Sequence, residues 1–265
     1  MSTDREHLTT VAYASSGLLA DRAALYAARV PAIDLPAFVI DQLADAGPLT
    51  GSLAGPVLDI GCGPGWYLAA ATARGLPAIG FDLSLGMARE AAARAPSGVA
   101  DAQALPFRDA VAAAVLLPHM LYHVPDPVAA LCEARRVVRP GGTVAVVTND
   151  PSHLRTMRNA MKDALLAVGV QPVASVEAHF DGRNAPAMLA AVFDSVETTP
   201  LEGVVRLDRP EPALAHLDST RSVYPDVADA TWQRALGTVR ASIAATIAAS
   251  GAWETEVASV LYLCR

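Results

Sequence analysis

The sequence contains little cysteine, and its three thiols stand far apart. Cys62, Cys132 and Cys264 are too few for a disulfide framework in a chain of 265 residues, and no two of them have the spacing of a zinc site. No apolar run reaches the roughly 18 residues that a membrane span requires, and residues 1–10 are polar where a signal peptide would have its apolar core. These absences predict a reduced, cytoplasmic protein that binds no metal and contacts no membrane.

Basic residues are also scarce. The chain has 20 lysines and arginines against 27 acidic residues, so its formal net charge is −7. A protein that binds nucleic acid usually needs a basic surface to neutralise phosphates, so no nucleic-acid partner is expected. The clearest basic cluster, Arg135, Arg136 and Arg139, lies on one predicted helix and is interpreted as its solvated face. Hydrophobic residues make up 52 %, which indicates a globular protein of unknown oligomeric state.

The hydrophobic pattern changes twice along the chain. Residues 1–50 have apolar residues at helical spacing and predict an N-terminal helical cap. Residues 51–150 alternate short apolar runs with helical stretches, the pattern of a parallel sheet covered on both faces. Residues 151–265 predict the rest of the sheet and a helical insertion that covers the active site. The expected fold class is α/β, with a doubly wound, mostly parallel seven-stranded sheet.

Capping and turn residues set the expected element boundaries. Ser84 and Asp126 are expected to cap helices that begin at Leu85 and Pro127. Strands are expected over residues 56–60, 78–81, around 99, 111–117, 143–148 and 257–263, with a weak pair near 196 and 204. Further helices are expected over residues 66–74, 155–168, 186–193 and 230–249, and the helix from Leu85 is expected to reach residue 94.

A glycine-rich turn follows the first predicted core strand. Residues 57–65 read Val-Leu-Asp-Ile-Gly-Cys-Gly-Pro-Gly and lead into a helix. Glycines at the carboxyl end of a parallel strand let the backbone approach a cofactor, and a helix N-terminus favours negative charge. The dinucleotide fingerprint would require glycine at position 66, where the chain has Trp66. The spacing is instead Gly-x-Gly-x-Gly, with Asp59 two residues before Gly61.

Four further motifs follow this loop in order. Residues 81–84 read Phe-Asp-Leu-Ser, residues 101–107 Asp-Ala-Gln-Ala-Leu-Pro-Phe, residues 116–118 Leu-Leu-Pro and residues 137–143 Val-Val-Arg-Pro-Gly-Gly-Thr. Together with the loop they resemble the class I S-adenosylmethionine-dependent methyltransferases. Within that family the motifs are similar to the branch of ubiquinone and menaquinone biosynthesis enzymes, which includes many bacterial natural-product methyltransferases. The resemblance implies S-adenosylmethionine as cofactor and S-adenosylhomocysteine as its product.

The resemblance also implies where this cofactor binds. Asp82 would accept both ribose hydroxyls, and Met87 would pack on the adenine. Asp101 would accept from the adenine amino group, while the backbone of Ala102 reads a ring nitrogen. An N-terminal tyrosine, Tyr13, would close over the cofactor carboxylate. The residues that the resemblance places around the cofactor are Tyr13, Asp59, Gly61, Cys62, Gly63, Asp82, Leu83, Met87, Asp101, Ala102, Leu117 and Pro118.

Methyl transfer from a sulfonium is an in-line displacement, for which positioning alone can supply about 7–11 kcal/mol. His119 and His123 are the candidates for a catalytic base, because histidine can be tuned to take a proton near neutral pH. The alternatives are that His123 orders its loop by hydrogen bonding and that His119 ends a strand. His179 and Tyr224 could line an acceptor pocket, whereas His153 is expected to lie exposed in a loop.

The sequence therefore predicts methyl transfer from S-adenosylmethionine to an O, N or C atom of a small organic acceptor, in bacterial secondary metabolism. Two alternatives stay open. The substrate could be RNA or protein, which would call for a basic groove or an appended binding module. The chain could also bind S-adenosylmethionine without transferring its methyl group. The sequence indicates neither the acceptor nor the methylated atom.

Overall fold

The strands form one sheet. The computed structural model describes residues 6, 8–13, 16–46, 55–173 and 176–265. Its strands are β1 (Arg29–Val30), β2 (Val57–Ile60), β3 (Ala78–Asp82), β4 (Ser97–Val99), β5 (Ala112–Pro118), β6 (Val138–Asn149), β7 (Val196–Leu207) and β8 (Trp253–Cys264). Their order across the sheet is β1-β7-β8-β6-β5-β2-β3-β4.

The sheet is mostly parallel. Strands β4, β3, β2, β5 and β6 pair in parallel, β8 is antiparallel to both β6 and β7, and β1 is antiparallel to β7. The predicted α/β fold with a mostly parallel sheet is confirmed. The two-residue strand β1 is an eighth strand that the sequence did not predict, because so short an edge strand has no alternation of its own to detect.

Helices flank the sheet. Within the described residues they are α1 (Gly17–Ala24), α2 (Leu35–Ala46), α3 (Trp66–Ala73), α4 (Leu85–Ala91), α5 (Pro127–Val137), α6 (Arg155–Ala167), α7 (Ala185–Ala190), α8 (Glu211–Asp218) and α9 (Asp229–Ser250). Leu116 and Leu117, adjacent on β5, belong to different hydrophobic clusters, because neighbouring residues of a strand point to opposite faces. A third cluster joins α6, α8 and α9 to β7 and β8.

The two predicted helix caps are confirmed. The Ser84 hydroxyl accepts a hydrogen bond from the backbone N–H of Met87 (3.3 Å), and the Asp126 carboxylate accepts one from that of Ala129 (3.0 Å). Pro127 stands at the start of α5, where its missing N–H has no partner to lose. These caps fix the beginnings of the helices that follow β3 and β5.

Several predicted boundaries are wrong: β6 begins at Val138 rather than at 143, and α7 ends at Ala190 rather than at 193. The weak strand pair near residues 196 and 204 is one strand of 12 residues, β7, and β8 begins at Trp253 rather than at 257. Pro200 lies inside β7, where a proline is tolerated because β1 pairs only with Val204 and Val205 and leaves β7 an edge strand at Pro200. The helix from Leu85 ends at Ala91, short of residue 94.

Two further predictions concern a domain boundary and membrane spans. The expected boundary between residues 50 and 51 lies in 47–54, outside the described residues. In the part of the chain that the structure describes, no helix is both long enough and apolar enough to cross a membrane.

The order of the strands creates a crevice. Strand β2 leads to β3 on one side, whereas β5 lies on its other side, so the direction of the chain across the sheet reverses between β2 and β5. In an open parallel sheet, ligands bind outside the carboxyl ends of the strands at such a point. The last residues of β2, β3, β5 and β6 therefore mark where a site is expected.

Candidate functional site

A cavity of about 700 Å³ lies at this point. The last residues of the four strands (Ile60, Asp82, Pro118 and Asn149) all border it. Part of its wall comes from the N-terminal segment around α1. The predicted site residues that border it are Tyr13, Gly61, Cys62, Gly63, Asp82, Leu83, Asp101, Ala102, Pro118, His119 and His123.

The glycine loop is held in a backbone conformation that favours glycine. Gly61, Gly63 and Gly65 have φ angles of 71°, 52° and 90°, in the left-handed region that L side chains rarely adopt. A Cβ at Gly61 would also lie 2.8 Å from the Cβ of Met120. The loop is tied to β3, because the N–H groups of Gly61 and Cys62 both donate to the carbonyl oxygen of Phe81 (2.7 and 3.0 Å). The backbone can thus form one wall of the cavity at close range.

Asp82 stands at the end of β3 with both carboxylate oxygens already oriented. Its Oδ2 accepts from the N–H of Gly63 (2.9 Å) and its Oδ1 from the N–H of Ser84 (2.8 Å). Each carboxylate oxygen has two acceptor positions, so one on each oxygen is left for a ligand. Burial raises the pKa of this carboxyl, while the two backbone hydrogen bonds lower it. The arrangement suits a pair of hydroxyl donors.

The loop after β4 carries the next acid. Asp101 Oδ1 accepts from the backbone N–H of Gln103 (3.0 Å) and from its side-chain amide (3.2 Å). The amide oxygen of Gln103 accepts in turn from the N–H of Asp126, 3.1 Å away. Asp101 and Ala102 are thereby placed at the cavity wall by a link between this loop and the start of α5.

Tyr13, Arg22 and His123 form a hydrogen-bonded chain over the cavity. The Tyr13 hydroxyl lies 2.8 Å from Nε2 of His123, and Nη1 of Arg22 donates to the same hydroxyl at 3.3 Å. Since the arginine can only donate, the Tyr13 oxygen accepts from it and is free to donate its hydrogen to His123 Nε2. His123 then carries its own hydrogen on Nδ1, a buried atom with no partner among the described residues.

The two predicted catalytic histidines are both neutral near pH 7. Burial lowers the pKa of His119 to about 4, and burial together with the charge of Arg22 lowers the pKa of His123 to about 3. A histidine with so low a pKa is a weak base at neutral pH. In this structure His123 is placed to donate a hydrogen bond through Nδ1, and its role as a base stays a prediction.

Three of the predicted cofactor residues do not border the cavity. Asp59, Met87 and Leu117 are 0 %, 0 % and 1 % exposed, and all three side chains are packed behind the wall. Met87 is fully buried, and its contact with an adenine ring stays a prediction. Asp59 makes no hydrogen bond within the described residues, and burial next to Asp82 raises its pKa to about 8.

The far end of the cavity holds residues that the sequence motifs missed or misplaced. His153 was expected to be exposed, but it is 3 % exposed and bonded to the hydroxyl of Tyr26, with 2.7 Å between Nε2 and Oη. Asn149 and Ser259 border the cavity beside it. These residues come from distant parts of the chain. Only Asn149 and His153, which lie close together after β6, could have been recognised from the sequence as neighbours in a site.

The two residues of the insertion that were expected to line an acceptor pocket lie elsewhere. His179 and Tyr224 do not border the cavity. His179 lies against the carbonyl oxygen of Pro125 (Nε2 to O 3.2 Å), and the ring of Tyr224 packs on Trp232. In the described residues, no three acids, cysteines or histidines are grouped to hold a metal.

The residues at the near end of the cavity fit an adenosine cofactor. Asp82 keeps one acceptor position on each oxygen, and Gly61 and Gly63 place no side chain in the cavity that they border. Asp101 and Ala102 border the same cavity, and their predicted contacts with the adenine stay a prediction. Three separate features of the wall therefore match the parts of one nucleoside.

Comparison with known proteins agrees with this geometry. Residues 58–146 match the family profile described as "Methyltransferase domain". The chain is 34 % identical over 201 residues to a 23S rRNA (guanine(748)-N(1))-methyltransferase of Streptomyces fradiae, covering 72 % of this chain and 65 % of that protein. It is 41 % identical over 91 residues to the demethylmenaquinone methyltransferase of Mycolicibacterium paratuberculosis, covering 34 % of this chain and 40 % of the relative. The chain thus spans less than two thirds of the length of either relative.

A solved structure shares the fold at low sequence identity. The phosphoethanolamine N-methyltransferase 2 of Haemonchus contortus, solved with phosphomonomethylethanolamine and S-adenosylhomocysteine, superposes with a TM-score of 0.56 at 16 % identity. The match covers 100 % of this chain and 60 % of that one. The motif order, the sheet and these similarities lead to one conclusion: residues 58–146 form a methyltransferase domain, and the chain has a Rossmann-like fold.

Proposed function

We propose that the protein transfers a methyl group from S-adenosylmethionine to a small organic acceptor, in bacterial secondary metabolism. The observation that carries the proposal is the single cavity that runs from Asp82 and the glycine loop to Asn149 and His153. The N-terminal segment covers part of this cavity, which favours a small molecule over a polymer chain. The acidic net charge of −7 and the demethylmenaquinone methyltransferase among the relatives support the same interpretation.

The chain's own residues would act mainly by positioning. S-adenosylmethionine, when bound, supplies a methyl group on a positively charged sulfur, which is a good leaving group. Asp82 and the glycine loop would hold the nucleoside, and Tyr13 with Arg22 would close over its amino-acid end. Holding donor and acceptor in line can supply about 7–11 kcal/mol, more than the roughly 10²–10⁴-fold of a general base.

His123 would orient rather than accept a proton in the state seen here. Its Nε2 faces the Tyr13 hydroxyl at 2.8 Å, and its Nδ1–H is free to donate to a ligand. His119, which borders the cavity with a pKa lowered to about 4, would likewise be neutral beside the acceptor. An acceptor atom that is already nucleophilic, or whose proton leaves to water, fits this arrangement best.

Asp82→Asn tests the cofactor site. The amide keeps the size of the side chain, but it loses the negative charge and replaces one accepting oxygen by an NH2 donor. A hydrogen bond to a charged group contributes about 1.5–3 kcal/mol. We expect the affinity for S-adenosylmethionine, measured by calorimetry, to fall about tenfold or more. Asp41→Asn is the matched control, because Asp41 is an exposed acid paired with Arg74. An unchanged affinity in Asp82→Asn would show that the cofactor binds elsewhere.

The acceptor class is tested with methyl-labelled S-adenosylmethionine and an undialysed lysate of the source organism, which keeps its small molecules. Label in the organic-extractable, low-mass fraction supports the proposal and provides a product for mass analysis. Label that is retained by acid precipitation and released by protease would instead identify a protein substrate. No label in any fraction, from protein that binds the cofactor, would favour a binding protein without transfer.

A second candidate is methylation of RNA. It is favoured by the similarity to the 23S rRNA (guanine(748)-N(1))-methyltransferase, which extends over 72 % of this chain and so well beyond the methyltransferase domain itself. The charge of the chain opposes it, since phosphate contacts depend on basic side chains. Acid-precipitable label that ribonuclease releases, and that forms on purified ribosomal RNA, would establish this candidate over the first.

A further inference from the structure

The far end of the cavity is separate from the nucleoside end. Tyr26 and Arg29 border it from the N-terminal segment, His153 from the loop after β6, and Ser259 from β8. Strands β3 and β8 are four strand spacings apart, or about 19 Å. A group bound at Asp82 on β3 therefore leaves the far end for a second molecule. In the proposed methyl transfer, on which this inference rests, that second molecule is the acceptor.

Arg29 is a buried cation at this end without a counter-ion in the described structure. It is 8 % exposed. Its Nη2 donates to the carbonyl oxygens of Leu201 and Glu202, both 3.2 Å away, while its buried Nε has no partner and no carboxylate lies within ion-pair distance among the described residues. A buried charge is normally paired, because removing it from water is costly. An arginine held by two carbonyls at a cavity wall thus lacks its anion.

The local fold holds Arg29 and Tyr26 on the same side. Residues Leu25–Ala28 form a 3-10 turn that contains Tyr26, Arg29 follows it directly in an extended conformation, and both side chains border the cavity. Gly203 on β7 leaves room for the guanidinium, because a Cβ there would lie 3.3 Å from Arg29 Nε. The arginine is therefore positioned by both the turn and the neighbouring strand.

Tyr26 can donate a hydrogen bond into the same region. The backbone N–H of Ala258 donates to Nδ1 of His153 (3.1 Å), so that nitrogen carries no hydrogen. The neutral ring then has its hydrogen on Nε2, which lies 2.7 Å from the Tyr26 hydroxyl and donates to it. The hydroxyl hydrogen of Tyr26 is left for another acceptor. Burial keeps the pKa of Tyr26 above its usual value, so the hydroxyl stays protonated.

The acids of the cavity wall do not serve as the missing anion. Glu177 is bound by Arg158 (3.1 Å) and by the side-chain amide of Asn149 (2.8 Å). Asp34 accepts from the N–H of Ala37 at the start of α2. Burial lowers the pKa of Arg29, and the one ionisable group that opposes this is Tyr26, not a carboxylate.

We propose that Arg29 and Tyr26 bind a carboxylate of the methyl acceptor, and that the acceptor is an apolar carboxylic acid. One guanidinium and one neutral hydroxyl match a single negative charge, whereas a phosphate with nearly two charges would need further cations. Apolar residues of the same wall, Ile33, Leu35, Leu201 and Val257, leave room for an apolar body. The carboxylate is thereby held away from the methyl group, so the product keeps its negative charge.

Calorimetry with a matched pair of probes tests this site. The probes are 2-naphthoate and 2-naphthamide, titrated into protein saturated with S-adenosylhomocysteine. We expect naphthoate to bind the unmodified protein about tenfold more tightly than naphthamide, as a charge-assisted hydrogen bond implies. In Arg29→Gln this preference disappears. Arg206→Gln is the matched control, because Arg206 lies on β7 as well but is exposed and paired with Glu254, and it should keep the preference.

A second variant keeps the test decisive if Arg29→Gln does not fold. Tyr26→Phe removes one donor and leaves the two carbonyl contacts of Arg29 in place; we expect it to weaken naphthoate about threefold or more. Equal binding of the two probes by the unmodified protein, or a preference that survives in Arg29→Gln, would overturn the proposal. Failure of the proposed function is a different result, because the labelled lysate would then give no low-mass labelled product even where the two probes bind with the expected preference.

The labelled lysate provides an independent readout. If the acceptor is a carboxylic acid, the labelled product enters ethyl acetate from water at pH 2 and stays in water at pH 8, because only the neutral acid leaves water readily. Arg29→Gln should form at least about tenfold less of this product while binding S-adenosylhomocysteine as before. A product that extracts equally at both pH values would show that the acceptor carries no acid.

Discussion

At the residue scale, Asp59 shows how a motif residue acts without touching the cavity. Its carboxyl is fully buried beneath the glycine loop, with neither oxygen hydrogen-bonded in the described structure. Burial and the nearby Asp82 raise its pKa to about 8. The protonated acid is therefore the stable form in the folded protein at neutral pH, whereas the unfolded chain releases that proton near pH 4.

Asp59→Asn should change how stability depends on pH. Because the folded pKa is raised, the native state binds more protons than the unfolded state between about pH 4 and pH 8, and its free energy of unfolding falls as pH rises through that window. The loss amounts to about 2 kcal/mol from pH 6 to pH 8. Urea unfolding of the ligand-free protein should show this fall, and Asp59→Asn should remove it. A parallel fall in the variant would assign the pH dependence to another group.

Tyr13→Phe should distinguish what the hydroxyl of Tyr13 contributes to stability from what its ring contributes. The hydroxyl accepts from Arg22 and contacts Nε2 of His123, so its removal takes one hydrogen bond from each of these two part-buried side chains. We expect the free energy of unfolding to fall by about 1–3 kcal/mol. Tyr122→Phe is the control, because the Tyr122 ring also packs on His123 but its hydroxyl has no hydrogen bond in the described residues. Equal losses in both variants would mean that ring packing alone holds His123.

At the scale of elements, local sequence determines the parts that a few residues can encode. The turn at Gly61, Gly63 and Gly65 and the caps at Ser84 and Asp126 were all predictable, because each depends on the conformation or the hydrogen bonds of adjacent residues. The full length of β7 and the existence of β1 were not. Both are set by pairing with strands far away in the sequence, which local propensity does not report.

Arg22 connects helix α1 to the end of helix α8. Arg22 donates to both the hydroxyl and the carbonyl oxygen of Ser219 (3.1 and 3.0 Å), which follows α8. Arg22→Met should lower the local opening free energy of residues 16–30 by about 1–2 kcal/mol, so that their amide hydrogens exchange about 5–30-fold faster. Exchange in α5 should not change. Arg74→Met, which removes an exposed ion pair with Asp41, serves as the control and should leave residues 16–30 protected.

At the scale of the whole molecule, the cofactor end of the cavity was easier to predict than the acceptor end. Asp82 and the glycine loop lie within 25 residues of each other in the sequence and form a motif with fixed spacing. Arg29, His153 and Ser259 meet only because β7, β8 and β6 lie side by side in the sheet. No spacing in the sequence brings these three together, so the charge and shape of the acceptor site had to come from the structure.

Cofactor binding should stabilise the whole fold, because the cavity wall draws on β2, β3, β5, β6 and the N-terminal segment at once. A ligand that binds only the native state adds about 2.7 kcal/mol when its concentration is 100 times its dissociation constant. For a chain of this size, that raises the melting temperature by roughly 5–10 °C. We expect S-adenosylhomocysteine to produce this shift in thermal unfolding and Asp82→Asn to reduce it at the same ligand concentration. Since Arg29 lies at the other end of the cavity, Arg29→Gln should retain the full shift; its loss there would mean that the two ends form one site rather than two.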